Sequence, residues 1–402
     1  MVAENKLGMN GERARFRLEV LSPLHVGDGS TLTRMEYFMD GKKLRVVHLD
    51  NLLELLRIKE KLEDFTNAIK EKRRDFDLTD YISGRLSLTQ EEKDKVTRYL
   101  LPAPYRIGLR EFRPFYRDGR GFMCIPGSSI KGAMRMACFY DFMKVMKTGS
   151  EKIFESFEKE LDNKIENLKG RVRKVRDFSR KLVISYENGY AVTFRYGGKQ
   201  MINKPNTDIF RCLRVTDAYP VGEKEIEVMV LNAVVKDKDV KGRLQDKAPF
   251  FLEMVVIGTF EFEASWDRAL AERFRKENAK KINRGELLYL DGLDDILTRC
   301  SCFTNDQMKY EIAFFDGCLN GGAVSKSIKE IDKRANFRLG WGTGMAGKTL
   351  LMLLDEDIKE KLKKEYNRKD ARVRDFPKSR KVVMGTNGKM YLPGFCKLER
   401  VT

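Results

Sequence analysis

The sequence predicts an α+β protein of two units, in which strand-rich segments are interrupted by helices. Residues 13–21 alternate polar and apolar side chains, a pattern typical of a half-buried strand. Apolar residues between positions 50 and 100 recur at helical intervals instead. Strand and helix patterns occur together twice along the chain, each time with a glycine-rich loop at the start of a helix. These observations define the expected fold class.

The first unit begins with a strand and a loop. Phe16, Leu18 and Val20 alternate with charged residues, and the chain then enters the loop 22–30, which contains one proline and two glycines. The turn Asp40–Gly41 between two short apolar runs predicts a hairpin. A helical insertion is expected at about 50–100, and Thr89 with Glu92 forms a capping-box pattern within it.

The second unit is expected to begin near Ala218, so the predicted domains are residues 1–217 and 218–402. Two strand patterns at 225–235 and 250–262 flank a basic loop from Lys236 to Lys247. They predict a long hairpin at about 225–262 whose tip projects from the body. The glycine-rich segment 339–349 precedes a last helix, and the tail after Asp375 ends in two short strands.

Charge points to a polyanionic partner. The 402 residues contain 78 Lys and Arg against 60 Asp and Glu, which gives a net charge of +18. We expect nucleic acid rather than a membrane, because no basic amphipathic anchor and no run of eighteen apolar residues occurs. Seven cysteines without framework spacing and the lack of a signal-like N-terminus indicate a reduced, cytoplasmic protein.

Histidine and cysteine usage limits the chemistry. Only His25 and His48 occur, and Cys300 with Cys302 forms the only close cysteine pair. Cys318 alone does not complete a zinc site, so no metal and no cofactor are expected. His25 is the candidate acid or base of a metal-independent endoribonuclease, although a lone loop histidine more often packs or forms a hydrogen bond.

Two loops have the composition of anion sites. Residues 126–135 contain Gly127, which lets a ligand approach the backbone, Ser128 and Ser129 as possible helix caps, and two nearby cations. An ordinary capped helix is an equal alternative. Residues 342–349 match the phosphate-loop pattern G-x-x-x-x-G-K-T, but no later strand offers an acidic ligand for magnesium. The basic run 169–181 is a further candidate for phosphate contact.

Four motifs together resemble the RAMP superfamily of CRISPR-associated proteins. They are the segments 21–29 (LSPLHVGDG), 125–135 (IPGSSIKGAMR), 213–217 (LRVTD) and the glycine-rich 339–347. Their order, with the tail motifs FPKSR at 376–380 and LPGFCKL at 392–398, is similar to the fifth subunit of type III-A (Csm) interference complexes.

The resemblance implies two ferredoxin-like (RRM-like) domains and a non-catalytic subunit that caps the backbone filament at the crRNA 3′ end and supports crRNA 3′ maturation. The implied partners are crRNA, target RNA, neighbouring RAMP backbone subunits, the small helical subunit of the complex and cellular ribonucleases. The implied RNA-binding residues are His25, Gly27, Ser128, Ser129, Lys131, Arg135, Arg214, Gly340, Trp341, Gly342, Thr343, Gly344 and Lys348. An endoribonuclease that uses His25, or a phosphate-loop nucleotide-binding protein, stays open as an alternative.

Overall fold

The computed structural model describes residues 11–104, 111–149, 151–168, 207–222, 225–366 and 375–401. The basic run 169–181 and the strand expected after it lie outside these residues. The α-helices are α1 (Leu49–Ile58), α2 (Leu62–Lys72), α3 (Leu78–Tyr81), α4 (Gln90–Val96), α5 (Gly127–Gly149), α6 (Glu151–Leu168), α7 (Arg268–Asn283), α8 (Leu293–Asp316), α9 (Gly322–Lys329) and α10 (Glu356–Tyr366).

The strands are short apart from four long ones. In chain order they are β1 (Gly11–Val20), β2 (Leu32–Thr33), β3 (Tyr37–Asp40), β4 (Lys43–Val47), β5 (Thr97–Pro102), β6 (Glu111–Phe112), β7 (Leu213–Val215), β8 (Tyr219–Pro220), β9 (Glu227–Lys238), β10 (Leu244–Ile257), β11 (Thr259–Asp267), β12 (Phe337–Arg338), β13 (Ser379–Met384), β14 (Met390–Tyr391) and β15 (Phe395–Val401). The mixture of helix and strand confirms the predicted α+β class.

The largest sheet joins the two ends of the described chain. Its order is β12-β15-β1-β11-β7, with β8 also paired to β11, and all of its pairs are antiparallel. The alternation predicted for β1 is confirmed, because Phe16 and Leu18 are buried while the residues between them face outward. Leu18 lies opposite Phe260 on one side and Leu398 on the other.

The main core lies between this sheet and α5 and α8. Phe16 stacks on Phe262 with ring centroids 5.4 Å apart. Tyr140 of α5 contacts Phe303 of α8, with centroids 4.5 Å apart. Each such buried side chain contributes about 1.5–3 kcal/mol to stability. The opposite face of the sheet carries ion pairs, among them Arg17 with Glu261 at 2.9 Å.

Helices α1–α4 occupy the segment where the helical insertion was expected and bury their own apolar cluster, which includes Leu52, Leu56 and Phe65. The capping box is confirmed: the Thr89 hydroxyl accepts a hydrogen bond from the Glu92 N–H, and the Glu92 carboxylate accepts one from the Thr89 N–H. The predicted hairpin around Asp40–Gly41 is also present as β3 and β4, and β5 extends it to a three-stranded sheet.

The long hairpin forms β9 and β10 within a second sheet, ordered β10-β9-β13-β14. The single strand expected at 250–262 is instead two strands, since the chain leaves this sheet at Ile257 and enters the first one at Thr259. The hairpin tip contacts the end of α8. Leu319 N–H donates to the Gly242 carbonyl, and the Asn320 side chain bonds both backbone groups of Leu244. The tip therefore packs against the body.

Within the described residues, no helix combines the length and apolar composition that crossing a membrane requires.

Candidate nucleic-acid interface

The loop after β1 and the glycine-rich loop after β12 lie in direct contact. Trp341 N–H donates to the His25 carbonyl at 2.8 Å, and Gly394 N–H donates to the Pro23 carbonyl at 3.1 Å. Three segments far apart in sequence thus meet at one end of the first sheet. The fold thus places His25 beside Gly340 and Trp341, two more of the expected RNA-binding residues.

Two glycines of the second loop are required by the chain's own packing. Gly340 has φ of +86°, and a Cβ there would lie 2.5 Å from the His25 carbonyl oxygen. Gly342 has φ of +89°, and its Cβ would lie 2.4 Å from Cγ of Pro393. Both positions combine a left-handed backbone with a close approach, so only glycine fits without rearrangement. The closest approach is to protein, whereas the sequence motif had suggested an approach to RNA.

His25 is a buried, neutral residue. Its Nδ1 bonds the Glu253 carbonyl oxygen at 2.8 Å, so Nδ1 carries the proton. Burial lowers the pKa of His25 to about 4. Its ring meets Phe115 edge to face, and its position holds the first loop against β10. A neutral, buried imidazole with this pKa is a poor general acid at neutral pH, which disfavours the endoribonuclease alternative.

The remaining motif residues form a second group at the start of α5. Lys131 Nζ donates to the Leu213 carbonyl at 2.6 Å, and Arg135 pairs with Asp208 at 3.1 Å. Burial lowers the pKa of Lys131, and the charges of Arg135 and Arg214 act in the same direction. Arg214 itself is exposed. Two of these three cations therefore hold the helix to the segment 208–213.

The capping expected from Ser128 or Ser129 is wrong. Helix α5 begins at Gly127, whose N–H donates to the Asp217 carboxylate at 2.8 Å. Ser129 N–H bonds the Pro126 carbonyl, and Ser128 is exposed. The N-terminus of α5 is thus already satisfied by an acid from the LRVTD motif, because that segment crosses directly above the helix start. Among the described residues, no hydrogen bond or ion pair joins this group to the loop that carries His25.

Three residues that the sequence reasoning missed, Arg113, Phe250 and Lys381, lie beside the glycine-rich loop. Lys381 Nζ lies 4.5 Å from the ring centroid of Trp341, and the Phe250 ring meets Trp341 at 5.8 Å. Arg113 Cζ lies 5.3 Å from the Phe250 centroid. Burial lowers the pKa of Lys381, and the charges of Lys348 and Arg113 lower it further. We call these five residues the Trp341 cluster.

The Trp341 cluster combines three cations with two half-buried aromatic rings. Neither Arg113, Lys348 nor Lys381 has an acidic partner among the residues that the structure describes. Mutual repulsion of like charges is unfavourable unless an anion approaches. Aromatic faces interleaved with cations are the usual composition of a single-stranded nucleic-acid site. Trp341 and Lys348 were expected from the glycine-rich motif. Only the fold brings Arg113, Phe250 and Lys381 to them, so no local sequence signal could have revealed those three.

The phosphate-loop pattern at 342–349 lacks the expected geometry. The Thr349 hydroxyl, which would face magnesium, donates to the Met345 carbonyl at 2.8 Å and accepts from Leu351 N–H. The chain then forms a single 3₁₀ turn at Leu351–Leu353, and the next α-helix begins only at Glu356. A phosphate loop opens directly into its helix, so this segment does not cradle a nucleotide in that manner.

Among the described residues, no three His, Cys, Asp or Glu side chains lie close enough to hold a metal ion. All seven cysteines are free, and Cys302 is the exposed one.

Comparison with known proteins gives a family match and several similar proteins. The model of the RAMP superfamily matches residues 17–295. The CRISPR system Cms protein Csm5 of Enterococcus italicus is 29% identical over 143 residues, which cover 30% of this chain and 41% of that protein. Csm5 of Streptococcus thermophilus is 24% identical over 344 residues, which cover 81% of this chain and 83% of that protein.

The fold is similar to a chain in the cryo-EM structure of a Csm–crRNA–target RNA ternary complex of a type III-A CRISPR-Cas system. The TM-score is 0.63 at 22% identity, and the match covers 96% of this chain and 100% of that chain. At this identity the likeness concerns the fold.

Proposed function

The chain belongs to the RAMP superfamily, and from this premise we propose that it is a structural, crRNA-binding subunit of a type III-A CRISPR interference complex. In this proposal it caps the backbone filament at the crRNA 3′ end and supports crRNA 3′ maturation without cleaving RNA. The names of the two Csm5 relatives and the fold likeness to a chain of a Csm complex support the assignment.

We also propose that the first sheet forms a ferredoxin-like domain. Such a domain has the order β-α-β-β-α-β, with its last strand beside its first. The series β1, α5, β7, β11, α8 and β15 follows that order, and β15 pairs with β1. This supports one of the two expected ferredoxin-like domains. Its strands come from both sides of residue 217, so this domain coincides with neither predicted unit. The second ferredoxin-like domain and the division at residues 217 and 218 stay sequence predictions.

The Trp341 cluster carries the RNA-binding part of the proposal. Its two rings can stack with bases, and its three cations can contact the adjoining phosphates. Every base has a stacking face, so binding of this type depends little on sequence. That property suits a subunit that must accept guides of many sequences. The loops thus supply the RNA contacts, and the glycines supply the shape that positions Trp341 and Lys348.

The outward face of the first sheet is covered by ion pairs, which favours the loops over the sheet as the RNA-binding element. RNA-binding sheets of the RRM type offer exposed aromatic rings for stacking. Here Arg13 pairs with Glu263 and Arg17 pairs with Glu261 across β1 and β11. These ion pairs neutralise the face, so RNA gains more from the unpaired cations beside Trp341.

The partners in this proposal are crRNA, target RNA, neighbouring RAMP subunits, the small helical subunit and cellular ribonucleases that trim the guide. The proposal places the assembly in the cytoplasm. The non-catalytic role is supported by the neutral, buried state of His25. Highly purified protein should leave RNA intact with and without divalent metal. Cleavage that a single substitution abolishes would refute the role.

Salt dependence of RNA affinity tests the site. Fluorescence anisotropy with single-stranded RNA should show log affinity falling linearly with log salt. The double variant Arg113→Ala/Lys381→Ala removes two phosphate contacts, so the slope should fall by about 1.4. Lys389→Ala is the matched control, because that exposed lysine is paired with Glu330 at 3.3 Å. Equal slopes in the wild type and the double variant would refute the assignment.

A further inference from the structure

A cleft lies between the glycine-rich loop and the start of β13. Its volume is about 270 Å³. The loop contributes Gly342, Gly344 and Ala346 to one wall, and Lys378, Arg380 and Lys381 line the other. Lys381 is the only one of these that also belongs to the Trp341 cluster. Apart from Lys381, the cleft is lined by residues outside the Trp341 cluster.

The loop wall offers unused backbone donors. The N–H groups of residues 342–346 have no hydrogen-bond acceptor among the described residues, although Trp341 and Gly347 on either side do. Gly342, Thr343 and Ala346 are buried, Met345 is half-buried and Gly344 is exposed. Buried N–H groups are nearly always paired in proteins. Consecutive unpaired N–H groups in a glycine-rich turn form a concave site for anions.

The opposite wall offers a buried guanidinium. Arg380 is 7% exposed and pairs with Glu311, yet its Nη2 has no hydrogen-bond partner in the described residues. Arg338 lies 3.7 Å from the same carboxylate, and its two terminal nitrogens also have no hydrogen-bond partner within the described part of the chain. One carboxylate thus faces two buried guanidinium groups, which leaves an excess of positive charge beside the cleft.

One of the two lysines of the cleft adds to this excess. Lys378 pairs with Asp237 at 3.3 Å, whereas Lys381 has no acidic partner among the described residues. Burying uncompensated charge is costly unless an opposite charge is bound. An oxyanion would accept from the loop N–H groups and compensate Lys381 and the Arg380–Glu311–Arg338 group together.

We propose that this cleft binds one phosphate group. The group is either the terminal phosphate of an RNA or free inorganic phosphate. Only the first of these sources rests on the proposed RNA-binding function. A terminal monoester fits better than an internal linkage, since it carries more charge and ends the strand inside a confined space.

Paired RNA probes test the cleft on the full chain. Short RNAs of one sequence, ending in a 3′-phosphate or a 3′-hydroxyl, are titrated by calorimetry against wild type, Lys381→Ala and Arg113→Ala. The readout is the ratio of the two affinities. Arg113 belongs to the Trp341 cluster but does not line the cleft. The Arg113→Ala substitution should therefore lower both RNA affinities and leave their ratio unchanged. Inorganic phosphate is added to each protein in parallel, and the thermal unfolding midpoint is recorded.

The 3′-phosphate should raise affinity about tenfold in the wild type and in Arg113→Ala, and the ratio should fall to one in Lys381→Ala. If the ratio is one throughout but inorganic phosphate raises the midpoint of wild type and not of Lys381→Ala, the source is free phosphate. If neither effect appears while RNA still binds, the cleft is refuted and the RNA-binding function stands. If phosphate stabilises but no RNA binds, the cleft stands and the proposed function fails.

Discussion

The contact between Gly340 and His25 allows a sharp prediction about stability. Gly340→Ala places a Cβ 2.5 Å from the His25 carbonyl oxygen, which must move by close to an ångström to restore ordinary contact. That carbonyl also accepts the hydrogen bond from Trp341 N–H. The left-handed backbone costs an alanine about 1–2 kcal/mol, overpacking costs about 1–3 kcal/mol, and the weakened hydrogen bond costs about 1 kcal/mol. We expect a total near 4 kcal/mol.

Gly344→Ala is the matched control in the same loop. Gly344 also has a positive φ, +67°, but the nearest atom to its Cβ is 4.0 Å away. Its cost should therefore be the backbone strain alone, about 1–2 kcal/mol. Urea denaturation, followed by tryptophan fluorescence and by circular dichroism, measures both variants. Equal losses of unfolding free energy in the two variants would show that the loops do not pack as described.

Three further predictions concern other described contacts. The pKa of folded His25, about 4, lies below the ordinary 6.5, so the neutral ring stabilises the fold fully above pH 6.5, and this stabilisation is lost as pH falls toward 4. Across that range the unfolding free energy of the wild type should fall by about 3 kcal/mol more than that of His25→Gln, and parallel pH profiles would contradict this. Arg135→Ala should lower the unfolding free energy by about 1 kcal/mol because the ion pair with Asp208 is lost, whereas Arg214→Ala, at an exposed position, should change it by less than about 0.5 kcal/mol. A larger loss for Arg214→Ala than for Arg135→Ala in denaturation would contradict these contacts. Asn320→Ala should free the hairpin tip, so protease cleavage near residue 240 should rise; unchanged cleavage would show that the tip is held by other contacts.

Local pattern was sufficient for elements that depend on neighbouring residues. The alternation in β1, the turn at Asp40–Gly41 and the capping box at Thr89 are all determined within about ten residues, and each is confirmed. The break near Gly258 was missed because both halves of that run are apolar. A strand pattern contains no information about which sheet the strand joins.

The motif residues were harder to predict because motifs identify positions and not contacts. Residues 340–344 do meet His25, yet the glycines there accommodate protein backbone. Lys131 and Arg135 looked available for phosphate and are instead bonded within the chain. Arg113, Phe250 and Lys381 belong to no motif, and they approach Trp341 only through the long-range pairing of β9, β10 and β13.

The position of β1 between β11 and β15 has a consequence for folding during synthesis. In the strand register, Arg17 of β1 lies opposite Glu261 of β11 and Glu399 of β15. The first sheet is therefore complete only after residues near position 400 have left the ribosome. At roughly 5–20 residues per second, that interval is about 20–80 s. Until then, the edge of β1 that pairs with β15 lacks its partner strand and is exposed to other nascent chains. The insertion α1–α4 has its own core and is able to fold earlier, so it is the part expected to resist aggregation while the sheet is incomplete.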